Sequence, residues 1–158
     1  MGVLQCGPWR FPCALGRGGI SVSKREGDGA TPYGRFALRD VYFKPGAVSR
    51  PVTALPVRAI GVPDGWCDAP GDRNYNRRVR HPYPASAERL WRDDGLYDLV
   101  VVLDYNILPR RRGRGSAIFM HIARPGFLPT EGCIALQKRD LQKLLTRIRP
   151  ATALITAR

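Results

Sequence analysis

No stretch of about 18 consecutive apolar residues occurs in this chain, which excludes a transmembrane helix. The N-terminal "MGVLQCGPWRFPCALG" lacks a basic segment followed by an apolar core of about 7 to 15 residues, so no signal peptide is legible. The chain is therefore expected either to work in the cytoplasm or to have an export segment outside this sequence. Gly2 follows Met1, but residue 6 is cysteine rather than serine or threonine, and myristoylation is not indicated. The four cysteines, Cys6, Cys13, Cys67 and Cys133, form no CxxC pair and no ladder of paired spacings, which argues against zinc. No metal or cofactor is expected. Cys6 and Cys13 flank a Gly-Pro-Trp turn and can face each other across a hairpin. A disulfide there suits an oxidising compartment, and two reduced buried thiols fit the same spacing.

Acidic residues are scarce. Asp and Glu number 13 against 26 Lys and Arg, a formal charge of +13, and nearly all the cations are arginine. Such a surface attracts polyanions. The sequence carries no helix-turn-helix pattern, no Cys/His finger spacing and no RNP-like aromatic motif, so nucleic acid is not the expected partner. A carboxylate-rich polymer or an anionic membrane surface fits the charge equally well.

At 158 residues, 44% hydrophobic and 25% charged, the chain reads as one folded domain over 1–158, acting as a monomer. Its 17 glycines and 14 prolines are spread throughout and its apolar runs are short, the punctuation of many strands joined by turns. Strands are expected near 11–16, 19–23, 34–43, 56–61, 97–104, 116–122, 132–136 and 152–157. "YDLVVVLDYN" suits a central strand covered on both faces. In "KRDLQKLLTRIRP", Leu141, Leu144, Leu145 and Ile148 recur at i, i+3, i+4 and i+7, predicting a helix that Pro150 stops, with Asp140 in its first turn and Arg147 and Arg149 in its last. A second, shorter helix is expected over "ASAERLWRDD", capped by Ser86. Residues 62–95, rich in Pro, Gly, Asn and Arg, read as a long functional or mobile loop, and "PRRRGRGS" as a basic loop leading into a strand. The class is mainly β.

Two residues carry the candidate chemistry. His121 ends the strand-like "GSAIFMH", Cys133 opens "GCIAL", and the segment between them is long enough to loop back. A lone buried cysteine is most often a packed small hydrophobe, and a lone histidine a satisfied side chain. Two adjacent strand ends, however, can bring imidazole and thiol together, and a neighbouring imidazole lowers a thiol's pKa and takes its proton. Gly132 permits close backbone approach, and the backbone N–H groups of 132 and 133 can form an oxyanion hole. His81, in "RHPYP", reads as a surface loop residue.

"H…TEGCIAL" resembles the motif of the YkuD-type L,D-transpeptidases, a histidine followed some residues later by Ser/Thr-x-Gly-Cys. "KREGDGATPYGRF" at 24–36 resembles the same family's Gly-x-Thr-Pro-x-Gly-x-Phe element, and "GSAIFMH", the last helix and the last strand sit in the family's order. The resemblance, to the compact single-domain proteobacterial type, spans about residue 15 to the end. It implies a β-sandwich or mixed sheet with a C-terminal helix and a long loop insertion, a cysteine at the sheet's rim, and peptidoglycan stem peptides as donor and acceptor in the periplasm or cell wall. Carried over, Cys133 is the nucleophile, His121 the base, Gly132 supplies the carbonyl that orients the imidazole, and Thr130 occupies the Ser/Thr position. The products implied are 3,3 or 1,3 crosslinks; hydrolysis by the same cysteine is the alternative, and a non-catalytic polyanion-binding module is the reading of another class. A carbapenem is expected to acylate Cys133. The family commonly has His just before the Gly-Cys pair and Arg two residues after the cysteine, where this chain has Glu131 and Ala135. Substrate carboxylates are then expected to meet Arg124, Arg73 or the 110–114 arginines, and Trp66, Tyr75 and Asn76 to form part of a donor groove.

Overall fold

The computed structural model describes residues 1–157. One long strand organises it. β5, Gly34–Phe43, pairs on one edge with β10, Leu99–Leu103, and on the other with β13, Ala153–Thr156, and then β6, Val57–Ala59. Beyond β10 the sheet continues through β11, Phe119–Ile122, and β12, Ile134–Leu136, to β2, Trp9–Ala14, and β1, Gly2–Cys6. Within this sheet β11–β12 and β5–β6 pair in parallel, and its other pairs are antiparallel. The sheet curls enough that β1 and β13, at opposite ends of the strand order, border one apolar cavity of about 400 Å³.

Alternation along the strands splits the core in two. Leu99, Val101 and Leu103 of β10 face one side with Met120, Ile134 and Leu136; Val100 and Val102 face the other with Phe119 and Cys133. The first side is covered by α1, Lys138–Leu145, whose Leu141, Leu144 and Leu145 are buried, as is Ile148 beyond it. Each such side chain contributes about 2 kcal/mol of hydrophobic burial. The second side is covered by a small sheet, β8–β7–β9, formed by β7, Asp64–Cys67, β8, Arg78–Arg80, and β9, Ala87–Arg89. A two-stranded ladder of β3, Ile20–Ser21, and β4, Thr31–Pro32, completes the fold.

The mainly β class and the central, doubly covered strand agree with the sequence reading. Four local expectations are corrected. The long segment 62–95 is not a loop but carries β7, β8 and β9. The helix expected over "ASAERLWRDD" is absent: Glu88 pairs with Trp66 and Ala87 with Cys67, so cross-strand pairing overrides a marginal helical pattern only about three turns long. α1 ends at Leu145, with Arg147 N–H closing a turn on the Leu144 carbonyl, so Pro150 lies well past its end and Arg147 and Arg149 are outside it. The hairpin joining β1 and β2 exists, but its register sets Cys13 opposite Gly2 and Cys6 opposite Trp9. Four residues of offset separate the two thiols by about 13 Å along the strand, beyond disulfide reach. All four cysteines are free.

Candidate active site

Parallel pairing of β11 with β12 places His121 beside Ala135, and Cys133 lies two residues before Ala135 on the same face. Period-2 alternation therefore turns His121, Ala135 and Cys133 toward one cleft of about 520 Å³, which all three line. Other walls come from Glu26, Asp68, Glu88, Arg92, Tyr97, Ser116, Arg124 and Thr130.

The turn before Cys133 is tightly specified. Gly132 sits at φ +130°, and a Cβ there would meet the Ala30 carbonyl oxygen at 2.8 Å. Thr130 clamps the turn with one hydroxyl, donating to the Cys133 carbonyl at 2.6 Å and accepting from Gly132 N–H at 3.2 Å. Its backbone ties to Leu15 and Arg17. The "GATPYGRF" stretch supports this turn rather than the chemistry. Ala30 packs under Gly132, buried Thr31 accepts Gly16 N–H at 2.9 Å, the Pro32 carbonyl accepts from Thr156 at 2.5 Å, and Phe36 enters the core.

The sulfur and the ring are both buried. Cys133 Sγ donates to the Ala117 carbonyl at 3.2 Å and receives Phe119 N–H at 3.4 Å. Burial pushes the thiol up to about 12, with the nearby Glu88 charge adding to it. Burial lowers the imidazole of His121 to about 4. Its Nδ1 lies 2.9 Å from the Ile122 carbonyl. A carbonyl only accepts, so the neutral ring carries its proton on Nδ1 and leaves the Nε2 lone pair free, the tautomer a general base needs. The resting pair is a neutral thiol and a neutral imidazole, and among the hydrogen bonds of the described residues none joins Sγ to the ring. Tyr97 meets the imidazole edge-on at 5.2 Å and donates to Glu88 at 2.7 Å.

The carbonyl in contact with the ring is Ile122's, where the family resemblance implied that of Gly132; Gly132 forms the positive-φ turn. Gly132 N–H is already held by Thr130. Thr130 and Arg124 line the cleft as expected, whereas Arg73 and the 110–114 arginines do not. Trp66, Tyr75 and Asn76 are buried behind the cleft instead of forming its groove. They form a polar scaffold: Asn76 Oδ1 accepts from Trp66 Nε1 at 2.8 Å and from Ala117 N–H at 3.1 Å, while its Nδ2 donates to the Tyr105 and Asn106 carbonyls at 3.1 and 2.8 Å. Tyr75 donates to Glu26 and accepts Gly115 N–H at 3.0 Å. This scaffold fixes Ala117, a non-glycine at φ +52° whose carbonyl faces the sulfur.

Asn76→Ala will leave two buried and two half-buried partners unpaired, the buried ones costing about 1–3 kcal/mol each. A loss of about 3 kcal/mol or more in urea unfolding is expected, with activity falling alongside; a change under about 1 kcal/mol would refute the scaffold role.

Arg92, Glu88 and Tyr97 were not picked out in the sequence. Arg92 pairs with Asp94 at 2.5 Å, stands 3.7 Å from Glu88 and covers the Tyr97 ring at 5.1 Å. Glu88 and Leu90 stand at the two-residue spacing that puts strand side chains on one face, inside a segment read as helix. Glu131, at the position before Gly132, lies on the rim of the cleft and is held in an exposed ion pair with Arg17 at 2.9 Å. Ala135 presents only a methyl group, so the cleft's guanidinium groups are those of Arg92 and Arg124.

A family model for the YkuD L,D-transpeptidase catalytic domain matches residues 7–155. The chain belongs to the YkuD family. It is an L,D-transpeptidase-type catalytic domain, and its mostly β architecture with one helix and mixed sheets is consistent with that family's fold. Neither a curated protein nor a solved structure matches it. No helix among the described residues is long and apolar enough to cross a membrane.

Proposed function

We propose that this YkuD domain is a cysteine acyltransferase acting on peptidoglycan stem peptides in the periplasm or cell wall. The observation that carries the reading is the placement of Cys133 and a neutral His121, its Nε2 unprotonated, on one face of adjacent parallel strands inside one cleft.

As the donor amide enters, its carbonyl carbon is attacked by Cys133 Sγ while His121 Nε2 takes the thiol proton. The C–N bond breaks, the imidazolium returns the proton to the departing amine, and a thioester remains on Cys133. The diaminopimelate amine of a second stem then attacks the thioester, giving its proton to His121, and the sulfur leaves as thiolate and recovers a proton from the ring. Water in place of that amine yields a trimmed stem. Because the resting thiol is neutral, proton transfer accompanies attack instead of preceding it. Ile122 holds the ring and Thr130 holds the turn throughout. Arg124, the more exposed of the two cleft arginines, is placed to meet a stem carboxylate in the position where Ala135 offers none.

Incubation with purified tetrapeptide muropeptides, with and without acceptor stems, tests this by mass spectrometry. Crosslinked dimers that require acceptor are expected, and fragmentation distinguishes 3,3 from 1,3 bonds. Trimmed monomers alone would assign hydrolysis, and no change in any muropeptide would overturn the enzymatic reading.

A further inference from the structure

The loop from Asp104 to Gly115 carries Arg110, Arg111, Arg112 and Arg114, and its backbone is pinned in place. Asn106, at φ +51°, donates from Nδ2 to the Arg111 and Gly115 carbonyls, both at 2.9 Å, and accepts Arg111 N–H at 2.8 Å. Tyr105 donates to the Arg114 carbonyl, and Glu26 N–H reaches the Gly113 carbonyl at 2.9 Å. The loop runs directly into Ser116, and Ser116 and Glu26 both line the cleft.

No carboxylate among the described residues pairs with Arg77, Arg110, Arg111, Arg112 or Arg114; of the described arginines, Arg17, Arg58, Arg78 and Arg92 have such partners. Arg110 Nε is buried without a partner. Burial, reinforced by the neighbouring Arg77 charge, lowers the Arg110 guanidinium from its ordinary value. A flexible tail would spread such charges apart; a loop pinned by its own side chains cannot. The repulsion is relieved when an anion sits among the guanidinium groups, whose planar forks match carboxylates bidentately.

We propose that Arg77, Arg110, Arg111, Arg112 and Arg114 form a platform for the free carboxylates of neighbouring stem peptides, holding the enzyme on the polymer while the cleft works on one stem. The choice of stem carboxylates rests on the substrate reading above and on the loop's continuity with the cleft wall. Exposed Leu108 on the same loop makes an anionic lipid surface the competing partner.

Co-sedimentation of the full chain with purified peptidoglycan sacculi tests the platform, using native sacculi and sacculi whose carboxylates have been converted to amides. Native sacculi should bind in a salt-dependent manner and amidated sacculi about tenfold more weakly. Arg77→Gln/Arg110→Gln/Arg112→Gln should weaken binding about tenfold. Arg35→Gln/Arg39→Gln/Arg149→Gln, which removes equal charge elsewhere on the surface, should weaken it less than about threefold. Equal losses in the two variants, equal binding to amidated sacculi, or tighter binding to phosphatidylglycerol vesicles or duplex DNA would overturn the proposal. If thermal melting shows the glutamine triple to be unfolded, the Arg→Lys triple is read in its place. A loss of at least threefold is then expected, and wild-type binding would overturn the fork geometry. Sedimentation does not depend on Cys133 chemistry, so a failed platform and a failed acyltransferase give separate results.

Discussion

Cys133→Ala will lower product formation from muropeptides by at least about a thousandfold while the protein stays folded. The sulfur is the most nucleophilic atom type lining the cleft, and it sits between the Ala117 carbonyl and Phe119 N–H. Its removal leaves a small apolar gap and two polar backbone groups short of one partner, a cost of about 1–2 kcal/mol. Activity and stability therefore separate: the melting transition shifts by a few degrees and turnover disappears. Retained turnover in this variant would reassign the nucleophile, and a cooperative transition lost altogether would make Cys133 a core residue first.

His121→Asn will lower turnover by about 10²–10⁴ and change its pH dependence. In the wild type the ring's pKa is about 4, so the base stays unprotonated as pH falls through 6.5, and kcat/KM should decline only below about pH 5. The sign for stability is the same. The unfolded chain protonates this histidine near pH 6.5 and the native protein does not, so the stability the buried neutral ring contributes is complete above pH 6.5 and is lost as pH falls toward 4. The slope attributable to His121 approaches about 1.4 kcal/mol per pH unit in that window, about 3 kcal/mol in all. Glu88, which burial raises, titrates with the opposite sign. Comparing wild type with His121→Asn cancels its contribution. An activity inflection near pH 6.5, or identical slopes in the two proteins, would place His121 in solvent.

How far the sequence led depends on whether a feature is local. The stretch "YDLVVVLDYN" needs only continuous apolarity to declare a central strand, and Leu141, Leu144 and Leu145 need only helical spacing; both folded as read. The segment 62–95 was opaque because its strands are three or four residues long and are stabilised by pairing across the chain, Trp66 with Arg78 and Glu88. No local pattern encodes such register. The same reasoning applies to Cys6 and Cys13, where the hairpin was legible and the alignment of its two strands was not. At the site, the pairing of His121 with the Gly132–Cys133 turn was readable from strand ends. What Trp66, Tyr75 and Asn76 do was not, since an aromatic or amide side chain in a groove and one in a buried scaffold have the same sequence appearance. The acid and arginine Glu88 and Arg92, which line the cleft, went unseen because this segment was read as helix.

Turnover requires that Cys133 become acylated with His121 as base. Intact-protein mass spectrometry after brief exposure to a stem tetrapeptide donor or a carbapenem, followed by peptide mapping, tests it most directly. One adduct is predicted, located on the peptide containing Cys133, forming far more slowly in His121→Asn and absent in Cys133→Ala. No adduct, or an adduct on Cys6, Cys13 or Cys67 that persists in Cys133→Ala, would remove Cys133 from the chemistry.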